Sequence, residues 1–457
     1  MLLLPLDAND EIKNKNFNKL QNTNIKSVSE TFEIHKSFVD SNISIKKFIP
    51  NNENKESFHN AIRPILMISQ VFGILPVSGL SDSSSDKLTF KIKSFRGFYT
   101  LTVIFMLIIL VYCSTVHGIE NVRMTSSLNK KSSIISVTAA AAFYGCTIFE
   151  IIIFLWMSPH WVKLNRKWKA MEKQLDRSNN IFNHNPPKLR CKFMTISLIL
   201  FFFAIIEQII WIINMISSQP VTDYFSATWQ ECFKILHSQS DIFTLENFDF
   251  NLWGNIFLFI VSNYATFIWN FSDLFVMLVA TGLAERYKSL NYETINLIEK
   301  SHCTIHWSRL RENYCSLSWL VKQTDELISP LILISLGHNL YFSCLQLSYG
   351  LSINTNVDLS AVFPFITFAF VLGRTMAVTF LTARIHDHSR EALPAVYSCS
   401  SSYFTIEIQR LQQQLTSDEI SLTGMKFFSI TRSFILTIAG AIVTYEIILL
   451  QMNIARK

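Results

Sequence analysis

The sequence predicts an all-α, polytopic membrane protein with seven transmembrane helices, its N-terminus inside and its C-terminus outside. Three observations carry that prediction. Of the 457 residues 49% are hydrophobic and only 16% charged, against roughly 25% charged in ordinary soluble domains. The apolar residues gather into seven runs, each long enough to cross a bilayer at about 20 residues per crossing. Lys and Arg alternate between dense and sparse in the connections, as the positive-inside rule requires.

Residues 1–57 are rich in Asn, Lys, Ser and Glu without periodicity, which predicts a disordered cytosolic arm. Pro5 and Asp7 break the opening leucines too early for a secretory signal. Residues 58–97 form an interfacial or re-entrant helix region. Its stretch FHNAIRPILMISQVFGILPVSGL is apolar but carries His59, Arg63, Gln70 and two prolines, so it leads into the membrane without crossing it.

The region 98–399 holds the first six spans, near 98–119, 133–157, 194–217, 253–283, 327–350 and 361–383. The fourth exceeds the bilayer's needs and is expected to project beyond it as one helix. Residues 400–427, with the Gln-rich stretch IEIQRLQQQL, read as a cytosolic anchor helix. The seventh span and a short tail occupy 428–457. Trp156, Trp161 and Trp168 near the inner edge read as interfacial anchors.

Orientation follows from the connections. Between spans two and three lie nine bases, among them Lys163, Arg166, Lys169 and Arg190. Between spans four and five come Arg286, Lys288, Lys300, Arg309, Arg311 and Lys322. The third-to-fourth connection has Lys234 against five acids, and the fifth-to-sixth has no base. Arg123, Lys130 and Lys131 in the first-to-second connection are a mild dissent. This orientation is opposite to that of a seven-helix G-protein-coupled receptor. The net charge of +6 marks the inner face of a membrane and not a nucleic-acid patch.

Ionisable and amide side chains inside spans cost about 2.5–3.5 kcal/mol each at the centre, so they mark function or helix pairing. Glu207 and Trp211 share a face of the third span. Asn263 and Asp273 stand in the fourth with Tyr264, and His338, Asn339 and Tyr341 in the fifth. Carboxylates, amides and aromatic rings in the outer leaflet suit a sugar, which needs donors and acceptors for hydroxyls and flat rings for its C–H faces. Interhelical hydrogen bonding is the other reading. Glu150, Arg374 and Glu446 also lie within spans, and Arg374 reads as a pair partner for a carboxylate.

The last span has two seams. Thr437, Ala441, Thr444, Ile448 and Gln451 recur at four- and three-residue steps along one side. Ile435, Ile438, Ile442, Tyr445 and Leu449 form the other. Such a helix packs through its small residues or lines a water-filled path.

Enzyme motifs are missing: the chain has no G-x-S-x-G, H-E-x-x-H or P-loop, and no C-x-x-C among its 8 Cys. Neither a cofactor nor a metal site is expected. The stretch His386-Asp387-His388 reads as a solvated helix end, because adjacent helical residues point apart. No internal repeat with broken helices suggests a secondary transporter.

The segment from Thr444 to Gln451 resembles the T-Y-h-h-h-h-h-Q-F signature that closes insect gustatory receptors, with Glu446 in an apolar slot and Met452 in place of the final Phe. Further stretches are similar to the sugar-receptor branch of that family. These are the segment from Phe58, NFSDLFVMLVATGLAERYKSLN from Asn270, GHNLYFSCLQL from Gly337, FAFVLGRTMAV from Phe368, and ISLTGMKFFSITRSFILTIAG from Ile420. The resemblance runs from about residue 58 to the end.

It implies an insect chemoreceptor-type channel subunit in the plasma membrane of a gustatory neuron, assembled as a homo- or hetero-tetramer with related subunits. The seventh helices would surround a pore for monovalent cations and calcium. Gln451 and Met452 would stand at its outer gate, with Thr444 and Ile448 just inside. A sugar would bind in the outer half of the first six helices, and the anchor helix would join the inner ends of spans four to six. Other tastants, fructose or a bitter compound, are the nearest alternative.

Overall fold

A computed structural model describes residues 57–82, 84–124, 130–179, 188–217, 252–300, 307–352, 359–399 and 404–454. The expectation for the N-terminal arm falls outside the described residues, apart from Ser57. Helix α1 (Phe58–Ser69) begins at Ser57, whose hydroxyl accepts from the Asn60 amide at 3.3 Å and so caps an otherwise free donor. A 3-10 turn over Gln70–Phe72 ends at Gly73. There φ is +75°, a conformation costly for any side chain. A two-residue hairpin follows, β1 (Val77–Ser78) paired antiparallel with β2 (Thr89–Phe90).

The long helices come next: α2 (Phe95–Met124), α3 (Lys130–Asn179), α4 (Leu189–Ser217), α5 (Leu252–Lys300), α6 (Trp307–Ser352) and α7 (Leu359–Arg390). Two short helices, α8 (Leu393–Tyr397) and α9 (Ile406–Ser417), precede the last, α10 (Arg432–Ile454). Six of these helices are long and apolar enough to cross a membrane, and the apolar part of α10 within Arg432–Tyr445 is shorter. The first six expected spans fall inside helices, and the seventh, expected from 428, becomes helical only at Arg432, because Ser429 is held in a bridge with Thr423.

Helix α5 is the centre of the bundle. Of its most apolar stretch 89% is buried inside the protein, against 11% in α4. Residues from Leu274 to Ala284 are buried on every side, as a helix apolar all round requires. The lipid-like face belongs instead to α4, where Ile199, Phe202, Phe203 and Ile205 stand exposed.

Helices α3, α5 and α6 have 50, 49 and 46 residues. At 1.5 Å per residue each is about 70 Å long, more than twice the hydrocarbon thickness. Their basic ends are held by ion pairs, one of them fully buried, in place of grease. Arg286 of α5 lies 2.6 Å from Glu172 of α3, and Glu172 also accepts the Phe58 amide at 3.0 Å. Glu285 is clasped by Lys192 of α4 at 2.6 Å and Arg384 of α7 at 2.7 Å. The α9 helix docks on α6 through Glu407 and Arg311, 2.7 Å apart. That guanidinium holds the Glu407 carboxyl below the usual carboxylate range, so the pair persists at neutral pH and is lost only on acidification through the lowered value.

One expectation is corrected here. Trp161 and Trp168 are 0% and 1% exposed and belong to the core, whereas Trp156 stands half in the open. Phe58 of α1 stacks on Trp168 at 3.7 Å and meets Trp161 edge-on at 6.1 Å. Sequence spacing shows a ring near a helix end but not the second helix that covers it. Phe58→Ala is expected to destabilise the fold by about 3–5 kcal/mol, as large aromatic truncations in tight cores do. A thermal melt of purified protein followed by size-exclusion chromatography measures it.

Candidate functional site

Arg374, in the middle of α7, gathers a polar cluster from three helices. Its Nε lies 2.8 Å from Asp273 Oδ2 of α5, and its Nη2 donates to Asn339 Oδ1 of α6 at 2.8 Å. Its Nη1 donates to Asn270 Oδ1. The guanidinium also covers the Trp269 ring at 4.1 Å. Asn339 accepts from Trp269 Nε1 at 2.8 Å and donates to Asp273 Oδ2 at 2.8 Å. The Ser335 hydroxyl donates to Asp273 Oδ1.

Beside this cluster, His338 Nδ1 lies 3.1 Å from Glu150 Oε1 of α3, and Ser272 donates to Glu150 Oε2 at 2.9 Å. The His338 ring stacks on Trp269 at 4.6 Å. Glu150, Asp273, His338 and Asn339 are all buried, and their hydrogen-bonding capacity is largely spent on one another. The arrangement fixes the register of α3, α5, α6 and α7, since every member needs all the others to offset its desolvation.

The other residues named from sequence lie around this cluster. Asn263, two turns away along the Asn270 face of α5, donates to the Phe259 carbonyl at 2.7 Å. The Tyr264 hydroxyl meets that of Tyr99 at 2.8 Å, and its ring packs on Phe72. Tyr341 is 38% exposed. Trp211 is half-buried, one turn beyond Glu207 on α4. The structure therefore joins Asp273, His338 and Asn339, and leaves Trp211, Asn263, Tyr264 and Tyr341 outside their cluster.

Glu207 lines a cavity of about 640 Å³ between α4, α5 and α7. Ile199, Phe203, Met277 and Phe370 are among its walls, and the Glu207 and Arg374 side chains alone supply charge. Glu207 accepts a long bond, 3.5 Å, from Thr367. Ser335 and Ser272 were not singled out from sequence as site residues. For Ser335 the signal was there, because it stands four residues from Asn339 on one helix face.

Helix α10 rests chiefly on α6 and α7 among the described helices. Ile438 and Ile442 are buried against Leu340, Cys344, Leu347, Phe368 and Leu372, and Ile435 is also buried, whereas Tyr445 of the same seam is exposed. The neighbouring seam, Thr437, Ala441, Thr444, Ile448 and Gln451, is exposed. Thr444 donates to the Gly440 carbonyl at 2.8 Å within its own helix. A second exposed side carries Leu436, Val443 and Ile447. The side chain of Met452 lies outside the described residues. At the foot of the helix Arg432 Nε meets Asp387 Oδ2 of α7 at 2.7 Å.

Comparison with known proteins fits this architecture. The family model described as Trehalose receptor matches residues 13–457. The chain is 29% identical over 442 residues to the gustatory receptor for sugar taste 64f of Drosophila melanogaster, covering 94% of this chain and 89% of that protein. It is also 29% identical over 412 residues to the Drosophila gustatory receptor 5a for trehalose, covering 88% and 86%. In three dimensions it is similar to the insect olfactory receptor OR5 from Machilis hrabei in complex with eugenol. The TM-score is 0.60 at 14% identity, over 86% of this chain and 97% of that one, a likeness of fold. Matched by the family's model along nearly its whole length and built on an insect chemoreceptor fold, this multi-pass membrane protein belongs to the trehalose receptor family of gustatory receptors.

Proposed function

We propose that this chain is a subunit of a sugar-gated cation channel in the plasma membrane of a gustatory neuron, with mono- or disaccharides such as trehalose as ligands. Four copies, identical or related, surround a pore lined by α10. One observation carries the reading: α10 buries its isoleucine seam on its own subunit and leaves its Thr/Ala/Gln seam free. A single helix encloses no conduit, so an aqueous path along that seam needs symmetry copies. Monovalent cations and calcium pass between the seams, and Gln451 and Met452 stand at the outer gate.

The sugar is bound in the outer half of the six preceding helices. Trp211, Asn263 and Tyr341 contact it, and the cluster around Arg374 holds the helices that carry them. Because α10 packs chiefly on α6 and α7, binding reaches the gate through those two helices. The sugar shifts the closed–open equilibrium by its differential affinity for the open form. The sugar reading also rests on the family and on the names of the relatives.

Patch recording of cells expressing this chain alone is expected to show a cation current evoked by some members of a sugar panel and carried by sodium, potassium and calcium. Robust surface expression with no sugar-evoked current, alone or with related subunits, would sink the proposal.

A further inference from the structure

The cavity between α4, α5 and α7 is poorly suited to a sugar. Its walls are almost wholly apolar, and each sugar hydroxyl left without a partner there costs about 1–3 kcal/mol. Its volume of about 640 Å³ falls within the roughly 300–1,000 Å³ of small-molecule pockets. It opens beside α4, whose neighbouring side chains Ile199 and Phe203 are more than half exposed. Access is therefore from the hydrocarbon side of the bundle.

The charges decide what fits. Around Arg374 stand three carboxylates. Asp273 pairs with Arg374 and Glu150 faces His338, while Glu207 accepts one hydrogen bond, 3.5 Å from Thr367, and feels the Arg374 charge from beyond ion-pair distance. Arg374 already serves Asp273, Asn270 and Asn339. Glu207 is the surplus carboxylate, placed in an apolar wall where an unshared anion is costly.

We propose that this cavity is a second site, reached from the bilayer, for a small apolar molecule bearing one protonated amine that pairs with Glu207. A lipid acyl chain would fill the same walls but gain nothing from the carboxylate. The site adjoins the proposed sugar site, with Trp211 one turn from Glu207 on α4, and does not require the chain to conduct.

The test uses purified full-length protein in nanodiscs of zwitterionic lipid. It is photolabelled with decylamine carrying a mid-chain diazirine, and with the matching decanol. The amine is expected to label residues 196–207 and 366–381 at concentrations about tenfold below the alcohol, the worth of one partly desolvated charge pair. Glu207→Gln brings the amine to the level of the alcohol. Gly373→Leu and Ala377→Phe fill the cavity and abolish labelling by both; a Cβ at Gly373 meets no atom within 4 Å, so the backbone there is open to a side chain. Equal labelling by amine and alcohol in the unaltered protein would leave only an acyl-chain groove and overturn the proposal. So would labelling that persists in both filled variants.

Discussion

Arg374→Met leaves little folded protein in the membrane. Asp273 then stands buried beside Asn339 and Ser335 without a cation, and breaking such a pair from one side costs about 3–5 kcal/mol. Asn270 loses the arginine donor on its carbonyl oxygen, Asn339 keeps only the Trp269 donor on its own, and Trp269 loses the guanidinium over its ring. The double variant Arg374→Met with Asp273→Asn restores part of the loss, because it removes the stranded charge along with its partner. Fluorescence-detected size-exclusion chromatography after heating separates the three forms. Arg374→Met as stable as the parent would show that the cluster bears no weight in the fold.

The second large effect concerns α10. Cysteines placed singly at Thr437, Ala441, Thr444 and Ile448 react with a charged, water-borne thiol reagent, and modification reduces the sugar-evoked current several-fold. Those at Ile435, Ile438 and Ile442 stay unreactive, because all three positions are buried, the last two against α6 and α7. Cysteines at Leu436 and Val443 distinguish the remaining exposed side, which on this proposal faces lipid or a neighbouring subunit and not the conduit. Gln451→Ala changes the unitary conductance and leaves the sugar concentration-dependence in place. Reaction on the isoleucine side, with protection on the threonine side, would put the pore elsewhere.

Much of the fold was legible in the order of residues. A helix that must bury its backbone in hydrocarbon announces itself by twenty apolar residues, so the spans and their number were readable. The basic extensions were only partly so. The run ending at Met157 marks where α3 leaves the apolar region, yet α3 continues to Asn179 on polar residues. What sustains it is Glu172 on Arg286 and Trp168 under Phe58, contacts between segments more than 100 residues apart.

The polar residues divide in the same way. Glu207, Asp273, His338 and Asn339 could be named from sequence because charge and amide inside a span are costly. Whether such a group faces a ligand, a lipid-side cavity or a partner side chain depends on helix rotation. The structure turns Asp273, His338 and Asn339 toward Arg374 and Glu150, and Glu207 toward the α4 cavity.

The sequence by itself determined the class, the crossings, the two seams of α10 and the resemblance to sugar-taste receptors, all of which depend on local composition and period. Only the tertiary structure decided which seam of α10 is covered, that Trp161 and Trp168 are core, and that one arginine holds three helices together. Those outcomes depend on which distant surface each helix face meets, and a one-dimensional pattern carries the polarity of a face without naming its neighbour.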